Sequence, residues 1–351
     1  MRRLSRVPYS PRMSDEVERV FEAVYGGDED AVVRLLRSGT SAETADEDGE
    51  TALYRAATDN RTGIVRLLLA AGADPDRASG DTEEDGGAGG DLPLCGAAVR
   101  DHEETVRALL AAGARPDLRE AHGLTALVWA ATRGNGRTVR TLLEFGADPE
   151  LPDGHGVPPL VLAVRRGSWP AVRALLDRGV GEAGRRAALA EAHEWLIRDV
   201  EGELRAGLLE AYGEGHELVV RRVAEDGGTT VVVELLRDGR PGAGADRQTG
   251  HAAIATALEV SLGIRTPAAE LAARALRDGE RGNDNWREQV LTLGGRGDEE
   301  TFAAAAEWAA GGDPALRAFG ADVLERLRAV PGAVLGADGA RTPPGAGQRT
   351  P

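Results

Sequence analysis

The chain has 351 residues and a formal net charge of −16 at pH 7, from 58 acidic and 42 basic residues. Every basic residue is arginine, which excludes a Walker-type phosphate loop and Schiff-base chemistry, because both need a lysine. The acidic balance argues against nucleic acid as a partner, and the single cysteine, Cys95, excludes an intramolecular disulfide and suits a reducing cytoplasm.

The N-terminal segment, residues 1–15, is predicted to be disordered. It carries Arg2, Arg3 and Arg6 but no apolar run, so a signal peptide is not expected, and Met13 offers an alternative start. No apolar run in the chain approaches the ~18 residues of a membrane span. The abundance of Ala, Gly and Arg is typical of a bacterial genome rich in G and C. We therefore expect a cytoplasmic bacterial protein without a membrane segment.

Five similar segments follow, and each closes on a glycine. Counting back from that glycine, position −7 is always Val and positions −4 and −3 are always Leu, which predicts the apolar stripe of a short helix. A second stripe of an apolar residue and Ala lies at −19 and −16, and a turn residue (Gly, Asn or Asp) at −12 separates the two helices. The closing glycines are Gly39, Gly72, Gly113, Gly146 and Gly179, at intervals of 33, 41, 33 and 33 residues. A fixed period near 33 residues predicts a stack of helix pairs.

These segments resemble the ankyrin repeat. The family's Thr-Pro-Leu-His hallmark is matched by Thr51-Ala52-Leu53-Tyr54 and by three later tetrapeptides, and its Gly-Ala-Asp-Pro ending is intact at 72–75 and 146–149. The resemblance implies five ankyrin repeats over residues 16–181, the first acting as a cap. No repeat keeps the hallmark His, so the bridges it makes between neighbouring turns are not expected. The longer interval falls in an acidic, Gly-rich insertion at 77–90, predicted to be a mobile finger.

Residues 182–250 leave the 33-residue period. Apolar residues at helical spacing predict one long linking helix over 182–212, with Gly202 and Gly207 as weak points. Two β-branched runs, 217–224 and 229–236, predict a β-hairpin, although the first could also continue a helix. Residues 239–250 are predicted to be a flexible joint.

Helical patterns return over residues 251–330. Two of the segments place an Asp one helical turn before an Arg, as Asp284/Arg287 and Asp313/Arg317, and the two arginines are 30 residues apart. This arrangement resembles HEAT repeats, in which such residues bridge neighbouring units; a generic helical bundle is the alternative. The tail, 331–351, is rich in Pro, Gly and Ala and is predicted to be disordered. The predicted fold class is an all-α repeat solenoid with a β-hairpin between its ankyrin and HEAT-like parts.

Catalytic, metal and cofactor sites are not expected. His193-Glu194 and His216-Glu217 could begin a His-Glu-x-x-His zinc site, but the second His is missing from both. Most carboxylates fall in predicted loops, where solvation is their usual state.

The ankyrin resemblance places partner contacts at the finger tips and on the exposed face of each first helix. Arginines recur at position −13 of successive repeats and could form a ladder that receives carboxylates. An equally regular set of arginines occurs at position −6, on the outer helices. Regular spacing alone therefore does not show that an arginine contacts a partner. The candidate protein-binding residues are Glu47, Asp48, Glu50, Tyr54, Asp59, Asp91, Arg100, His122, Trp129, Arg133, His155, Arg165 and Arg166.

The resemblance therefore implies a non-enzymatic scaffold, expected to be monomeric, that binds a protein through the concave face of the repeats. The alternative is an enzyme or small-ligand protein with its site in 182–330; a perturbed His or carboxylate in a cavity there would favour it. HEAT-type repeats also form bilin lyases, but the reactive Cys expected for them is missing from that half. Nucleic-acid binding along the arginine ladder is a third reading, disfavoured by the net charge.

Overall fold

The structure is a computed structural model that describes residues 15–80, 90–120, 123–213, 215–225, 228–237, 239–277 and 281–329, with the strand residues 334–335 and 341–342. It divides into two compact units, Met1–Pro159 and Leu160–Pro351. The predictions of disorder for residues 1–14, of a mobile finger for 81–89 and of a disordered tail for most of 331–351 lie outside the described residues. No helix in the described part of the chain is long and apolar enough to cross a membrane.

The first unit is built from helix pairs joined by tight turns, as the repeat pattern predicts. The four closing glycines in this unit have φ between +92° and +102°, the left-handed conformation that ends a helix. Thr51 and Thr125 cap the first helices of their pairs by accepting hydrogen bonds from the backbone N–H of Tyr54 and Val128. The pairs are α1 (Asp15–Gly26) with α2 (Glu29–Arg37), α3 (Ala52–Thr58) with α4 (Thr62–Ala70), α5 (Pro93–Val99) with α6 (Glu103–Ala111), and α7 (Ala126–Arg133) with α8 (Gly136–Glu144).

First helices pack on first helices and second helices on second helices. The small residues at −16, Ala56, Ala97 and Ala130, are completely buried, which lets neighbouring helices approach closely. A Cβ atom at Gly96 of α5 would lie 2.7 Å from the Thr58 Cγ2 atom, so this residue must stay small. The leucines at −4 of the next three pairs, Leu68, Leu109 and Leu142, are also buried and fill the space between the two helices of each pair.

Neighbouring pairs are bridged from position −11, which the sequence pattern did not reveal. The side chain of Arg61 donates to the Tyr25 carbonyl at 2.7 Å, and the Asn135 Nδ2 donates to the Ala98 carbonyl at 2.8 Å. The His102 Nδ1 lies 3.1 Å from the Ala57 carbonyl. These side chains replace the bridges that the missing hallmark His would make, using three different chemical groups at one repeat position.

The second unit begins with four helices: α9 (Pro159–Arg166), α10 (Trp169–Asp177), α11 (Glu182–Leu196) and α12 (Val200–Tyr212). The single linking helix predicted over 182–212 is therefore two helices. The break falls at 197–199, where the Asp199 carboxylate accepts a hydrogen bond from the Gly202 N–H and starts α12. Gly202 and Gly207, the predicted weak points, lie inside α12.

A three-stranded antiparallel sheet follows, in the order β1 (Glu217–Glu225), β2 (Gly228–Arg237) and β3 (Arg240–Gln248). The predicted hairpin is present, with Val220 opposite Val233, but a third strand occupies the region predicted to be a flexible joint. The glycines of β3 suggested flexibility, whereas its pairing with β2 orders the backbone. Ala243 and Ala245 pack with α12 in a small apolar cluster around Leu208 and Val233. The predicted all-α fold class is therefore incomplete, because the structure also contains this three-stranded sheet.

Five helices complete the second unit within the described residues: α13 (His251–Ser261), α14 (Ala268–Leu276), α15 (Asp284–Arg296), α16 (Glu299–Ala310) and α17 (Pro314–Ala329). The last four surround a core that includes Leu271, Trp286, Leu293 and Phe319. In the predicted tail, β4 (Val334–Leu335) pairs with β5 (Arg341–Thr342).

The side chains of the predicted Asp–Arg bridges make other contacts. Arg317 donates to the carbonyls of Gly311 and Gly312 at 3.2 and 2.6 Å, at the start of its own helix. Asp313 accepts hydrogen bonds from the first turn of α17. Asp284 is buried with its Oδ2 unpaired among the described residues.

We expect Asp284→Asn to stabilise the protein at pH 7. Burial raises the pKa of Asp284 from 3.8 to about 6, although the charge of Arg287 opposes this rise. A pKa raised by folding means that stability falls as pH rises from about 4 to 6 and the buried group ionises. Removing the charge should therefore raise the free energy of unfolding by about 1–2 kcal/mol at pH 7, after a discount for solvent screening.

Urea unfolding at pH 4 and pH 7 checks this expectation, and the gain should be present only at pH 7. Asp298→Asn is the matched control, because the pKa of Asp298 is lowered: burial raises it, but hydrogen bonds from Thr301 and Arg265 outweigh burial. That variant should lose stability at pH 7 or leave it unchanged. Equal effects of the two substitutions would contradict the expectation.

Candidate functional site

The exposed side of the first helices in the first unit carries a chain of polar contacts. The Tyr54 hydroxyl donates to the Asp91 carboxylate at 2.9 Å, which joins α3 to the start of the next pair. Burial of the ring, and then this hydrogen bond, raise the pKa of Tyr54 above its usual value. The Tyr54 side chain is therefore a neutral, half-buried group held in one orientation.

Arg55 organises two of the predicted contact residues, and sequence reasoning missed it. Its guanidinium binds both carboxylate oxygens of Glu50, at 2.5 and 2.7 Å, and lies 3.9 Å from Asp59. These two acids are thus neutralised by a side chain of the same helix pair. Arg55 follows Tyr54, at a position where the repeat pattern shows no regularity, so no sequence signal pointed to it.

Trp129 is also held in place. Its indole N–H donates to the buried carboxylate of Glu120, with which the Cys95 thiol is also hydrogen-bonded. Burial, reinforced by the Glu120 charge, raises the pKa of the Cys95 thiol well above its usual value. Cys95 is accordingly a packed, protonated thiol, and Trp129 presents a half-exposed ring.

The remaining candidates of the first unit lie at the surface. Arg100 and Arg133 are exposed at the ends of α5 and α7, and the Arg100 side chain makes no hydrogen bond or ion pair with the described residues. Glu47 and Asp48 are exposed at the first finger tip, in a turn closed by the Asp46 carboxylate. The finger residue His155 is exposed, whereas His122 lies outside the described residues.

Arg165 and Arg166 lie in the second unit, and both are committed to partners there. Arg165 pairs with Glu191 of α11 at 3.1 Å. Arg166 pairs with the Asp246 carboxylate of β3 and donates to the Asp246 carbonyl at 2.9 Å. Both of these predicted contact residues are therefore already bound to other residues of the chain.

The second unit also contains a cavity of about 350 Å³ that sequence reasoning did not anticipate. Its lining includes Trp195 at the end of α11, His251 at the start of α13 and Asn285 in the first turn of α15. The His251 and Trp195 rings stack with centroids 4.9 Å apart. Because these residues are up to 90 positions apart in the sequence and form no spaced motif, no sequence signal brings them together.

The His251 side chain is almost completely buried at this cavity. It is hydrogen-bonded to the Val164 backbone, while its Nε2 has no hydrogen-bond partner among the described residues. Burial lowers the pKa of His251 to about 3, so the imidazole is neutral at pH 7. Within the described parts of the chain, no group of three or more His, Cys, Asp or Glu residues could hold a metal ion.

One family model matches part of the chain. The profile described as "Ankyrin repeats (3 copies)" matches residues 20–120 and 94–184. No curated protein matches the chain. The matched residues contain α2 to α10 and all of the predicted contact residues.

Proposed function

From the ankyrin repeats found in residues 20–184, we propose that this protein is a non-enzymatic scaffold that binds a protein partner through the concave face of those repeats. Ankyrin repeats generally mediate protein–protein interaction, and the exposed ends of their first helices are the usual contact positions. The proposed partner contacts are the candidate residues of the first unit.

One observation carries the proposal: exposed arginines at equivalent positions of α5 and α7 accompany aromatic rings that are already fixed. Arg100 and Arg133 offer guanidinium groups that can bind carboxylates through paired hydrogen bonds. Tyr54 and Trp129 are oriented by Asp91 and Glu120 before any partner arrives, so little side-chain entropy is lost on binding. Fixed aromatic and arginine side chains are the residue types that dominate interface energies.

The charges on this surface favour a partner with an uneven charge distribution. Glu47 and Asp48 are exposed at the first finger tip, whereas Arg100 and Arg133 belong to later repeats. A partner segment with acidic residues toward the arginines and basic residues toward the first finger would be complementary to both ends. Such complementarity acts mainly on association rate and specificity.

Charge reversal at Arg100 and Arg133 is expected to abolish capture of this partner. In pulldowns from native lysate, the variant Arg100→Glu/Arg133→Glu should lose a protein that the wild type retains. With the purified partner, the dissociation constant should rise at least about tenfold, because two guanidinium–carboxylate contacts become repulsive. The thermal melting of the variant should not change, since both side chains are exposed.

The matched control is Arg66→Glu/Arg140→Glu, which reverses two exposed arginines on the outer helices α4 and α8. Arg66 only approaches Glu104 at 3.5 Å with both side chains exposed, a contact worth little. This control should bind like the wild type. Equal loss in both variants would indicate nonspecific charge effects, and unaltered binding by the Arg100/Arg133 variant would refute the proposed surface.

The proposal also covers the arrangement of the C-terminal helices, the oligomeric state and the location of the protein. We propose a HEAT-like arrangement for residues 251–330, supported by the packing of α14 on α15 and α16 on α17, with α15 also packed on α17. A monomeric, cytoplasmic protein of bacterial origin is likewise proposed, from the composition and the single Cys. The HEAT-like part would hold a second partner.

One observation favours the alternative function, a small-ligand or enzyme site within 182–330. The cavity at His251 combines a buried histidine of strongly lowered pKa with polar side chains from several elements. Perturbed titratable groups in cavities are a common feature of binding and catalytic sites. This site is compatible with a scaffold, because it uses other residues.

A further inference from the structure

Three arginines and two acids line the cavity of the second unit, in a protein whose net charge is −16. Arg277 at this cavity donates to the carbonyls of Leu196 and Arg198, and Arg247 donates to the Arg165 carbonyl. Neither arginine forms an ion pair with a carboxylate among the described residues. Carbonyl groups accept the hydrogen bonds of these guanidinium groups but do not neutralise the positive charge of the arginines, so a positive potential remains.

This positive potential also acts on the pKa of the buried His251. After burial, the causes that lower the pKa of His251 are the charges of Arg247, Arg277 and Arg198. The pKa of Arg247 is itself lowered, first by burial and then by repulsion from Arg166 and Arg198. The guanidinium groups therefore repel one another around a neutral imidazole.

The acids that line the cavity are already engaged. Asp199 caps α12 through the Gly202 N–H at 3.0 Å. Glu201 binds Arg205 at 3.2 Å and Arg222 at 3.0 Å. Glu201 is thus paired with two arginines and Asp199 with a backbone N–H, whereas Arg277 has no acidic partner in the described part of the chain.

Helix ends add to the positive potential. The first turns of α12, α13 and α15 all contribute residues to the cavity lining. These helices have 13, 11 and 13 residues, long enough to carry a substantial dipole. Their N-terminal ends favour an anion, as in many phosphate and carboxylate sites.

The unpaired Nε2 atom of His251 sets a second requirement. A neutral imidazole whose other nitrogen donates a hydrogen bond presents a lone pair at Nε2. A buried acceptor left without a partner is costly, so a ligand that donates an O–H or N–H there would be stabilised. A bare anion would instead be repelled by that lone pair.

We propose that this cavity binds a small oxyanion, a carboxylate or a phosphate, that also carries an O–H or N–H donor. Its negative group would lie toward Arg277 and the first turn of α13, and its donor would bond the Nε2 of His251. Trp195 would form one wall. A cavity of about 350 Å³ is in the range of small-molecule sites. This inference is independent of the proposed protein-binding surface.

Calorimetric titration of the full chain in Tris-chloride at pH 7 tests the proposal with three probes. Inorganic phosphate carries its own P–OH donor, lactate carries a hydroxyl beside its carboxylate, and propionate is lactate without the hydroxyl. We expect saturable one-site binding of phosphate or lactate with a Kd near or below about 1 mM. Binding by lactate alone would identify a carboxylate site, and by phosphate alone a phosphate site. Propionate should bind at least about tenfold more weakly than lactate wherever lactate binds.

The variant Arg277→Gln should weaken the binding at least about tenfold. Its matched control is Arg317→Gln, because Arg317 also donates only to two carbonyls but belongs to α17, away from the cavity lining. If Arg277→Gln loses its circular dichroism spectrum, Arg198→Gln replaces it, since Arg198 also lines the cavity and 43% of its side chain is exposed.

Three outcomes would overturn the proposal. Saturable binding of neither phosphate nor lactate would remove the site. Equal weakening by the cavity variant and by Arg317→Gln would show nonspecific attraction. Lactate and propionate binding equally would remove the donor requirement at His251.

Discussion

Replacing Arg274 by Met is expected to lower the free energy of unfolding of the second unit by about 3–5 kcal/mol. Arg274 of α14 donates to both carboxylate oxygens of Glu259 in α13, at 2.7 and 2.9 Å, and to Thr256 at 2.9 Å. Only 7% and 5% of the two charged side chains are exposed. Removing the guanidinium would leave the Glu259 carboxylate buried without its main counter-charge, which is the costly state.

The pKa of Glu259 shows how strongly its charged form is held. Burial alone would raise this pKa, but hydrogen bonds from Arg274, Thr266 and His193 lower it to about 2. A pKa lowered by folding contributes stability that is present above about pH 4.5 and is lost as pH falls toward 2. In Arg274→Met, where burial is no longer opposed by the arginine, the pKa of Glu259 should rise.

Urea unfolding of the full chain at pH 7, followed by tryptophan fluorescence, measures this loss. Arg265→Met is the matched control, because Arg265 also contacts two acids, Asp298 and Glu300, but 56% of its side chain is exposed. Its loss should stay below about 1 kcal/mol. The double variant Glu259→Gln/Arg274→Met should recover part of the stability, since no buried charge is left unpaired. Equal losses in the two single arginine variants would contradict the buried-pair explanation.

Replacing Gly167 by Ala is expected to destabilise the second unit by about 3 kcal/mol or more. Gly167 lies between α9 and α10 with φ at +78°, a conformation that costs a residue with a side chain about 1–2 kcal/mol. A Cβ atom there would also overlap the Gln248 carbonyl oxygen and lie 2.6 Å from the Cε1 of His251. Backbone and neighbour must therefore both shift to admit one methyl group.

The variant Gly179→Ala measures the backbone cost of a positive φ without the close contacts of the added Cβ atom. Gly179 has a similar φ, +85°, but a Cβ atom there would meet nothing within 4 Å. Gly179→Ala should therefore show the backbone cost alone, about 1 kcal/mol. Differential scanning calorimetry of both variants checks the difference. Equal melting temperatures would mean that the close approach to Gln248 and His251 contributes nothing.

Local patterns predicted the first unit well, because each helix pair repeats the same short-range chemistry. The apolar stripes, the closing glycines and the turn residues Asn60 and Asp101, both at positive φ, are set by neighbours a few residues away. The bridges from Arg61, His102 and Asn135 escaped prediction because they join residues 36 to 45 positions apart and use three different side chains.

The second unit was harder to predict because its decisive contacts are long-range. The helices over 251–329 followed from periodicity, but β3 did not, since its Gly and Ala residues form a strand only by pairing with β2. The cavity at His251 depends on six helices and strands that meet from distant parts of the sequence. For the contact residues, position within the repeat was predictable, whereas the pairing of Arg166 with Asp246 was not.

The pairing of Arg166 with Asp246 means that the chain supplies its own competitor at one of the proposed contact positions. A carboxylate held in place by the fold acts on Arg166 at an effective concentration, as a linked binding group does. An external acidic group at Arg166 would have to displace Asp246 against that concentration before gaining any affinity. On the proposed surface the exposed arginines at equivalent positions are then Arg100 and Arg133, so the intramolecular contact of Arg166 would set where the footprint of the partner ends.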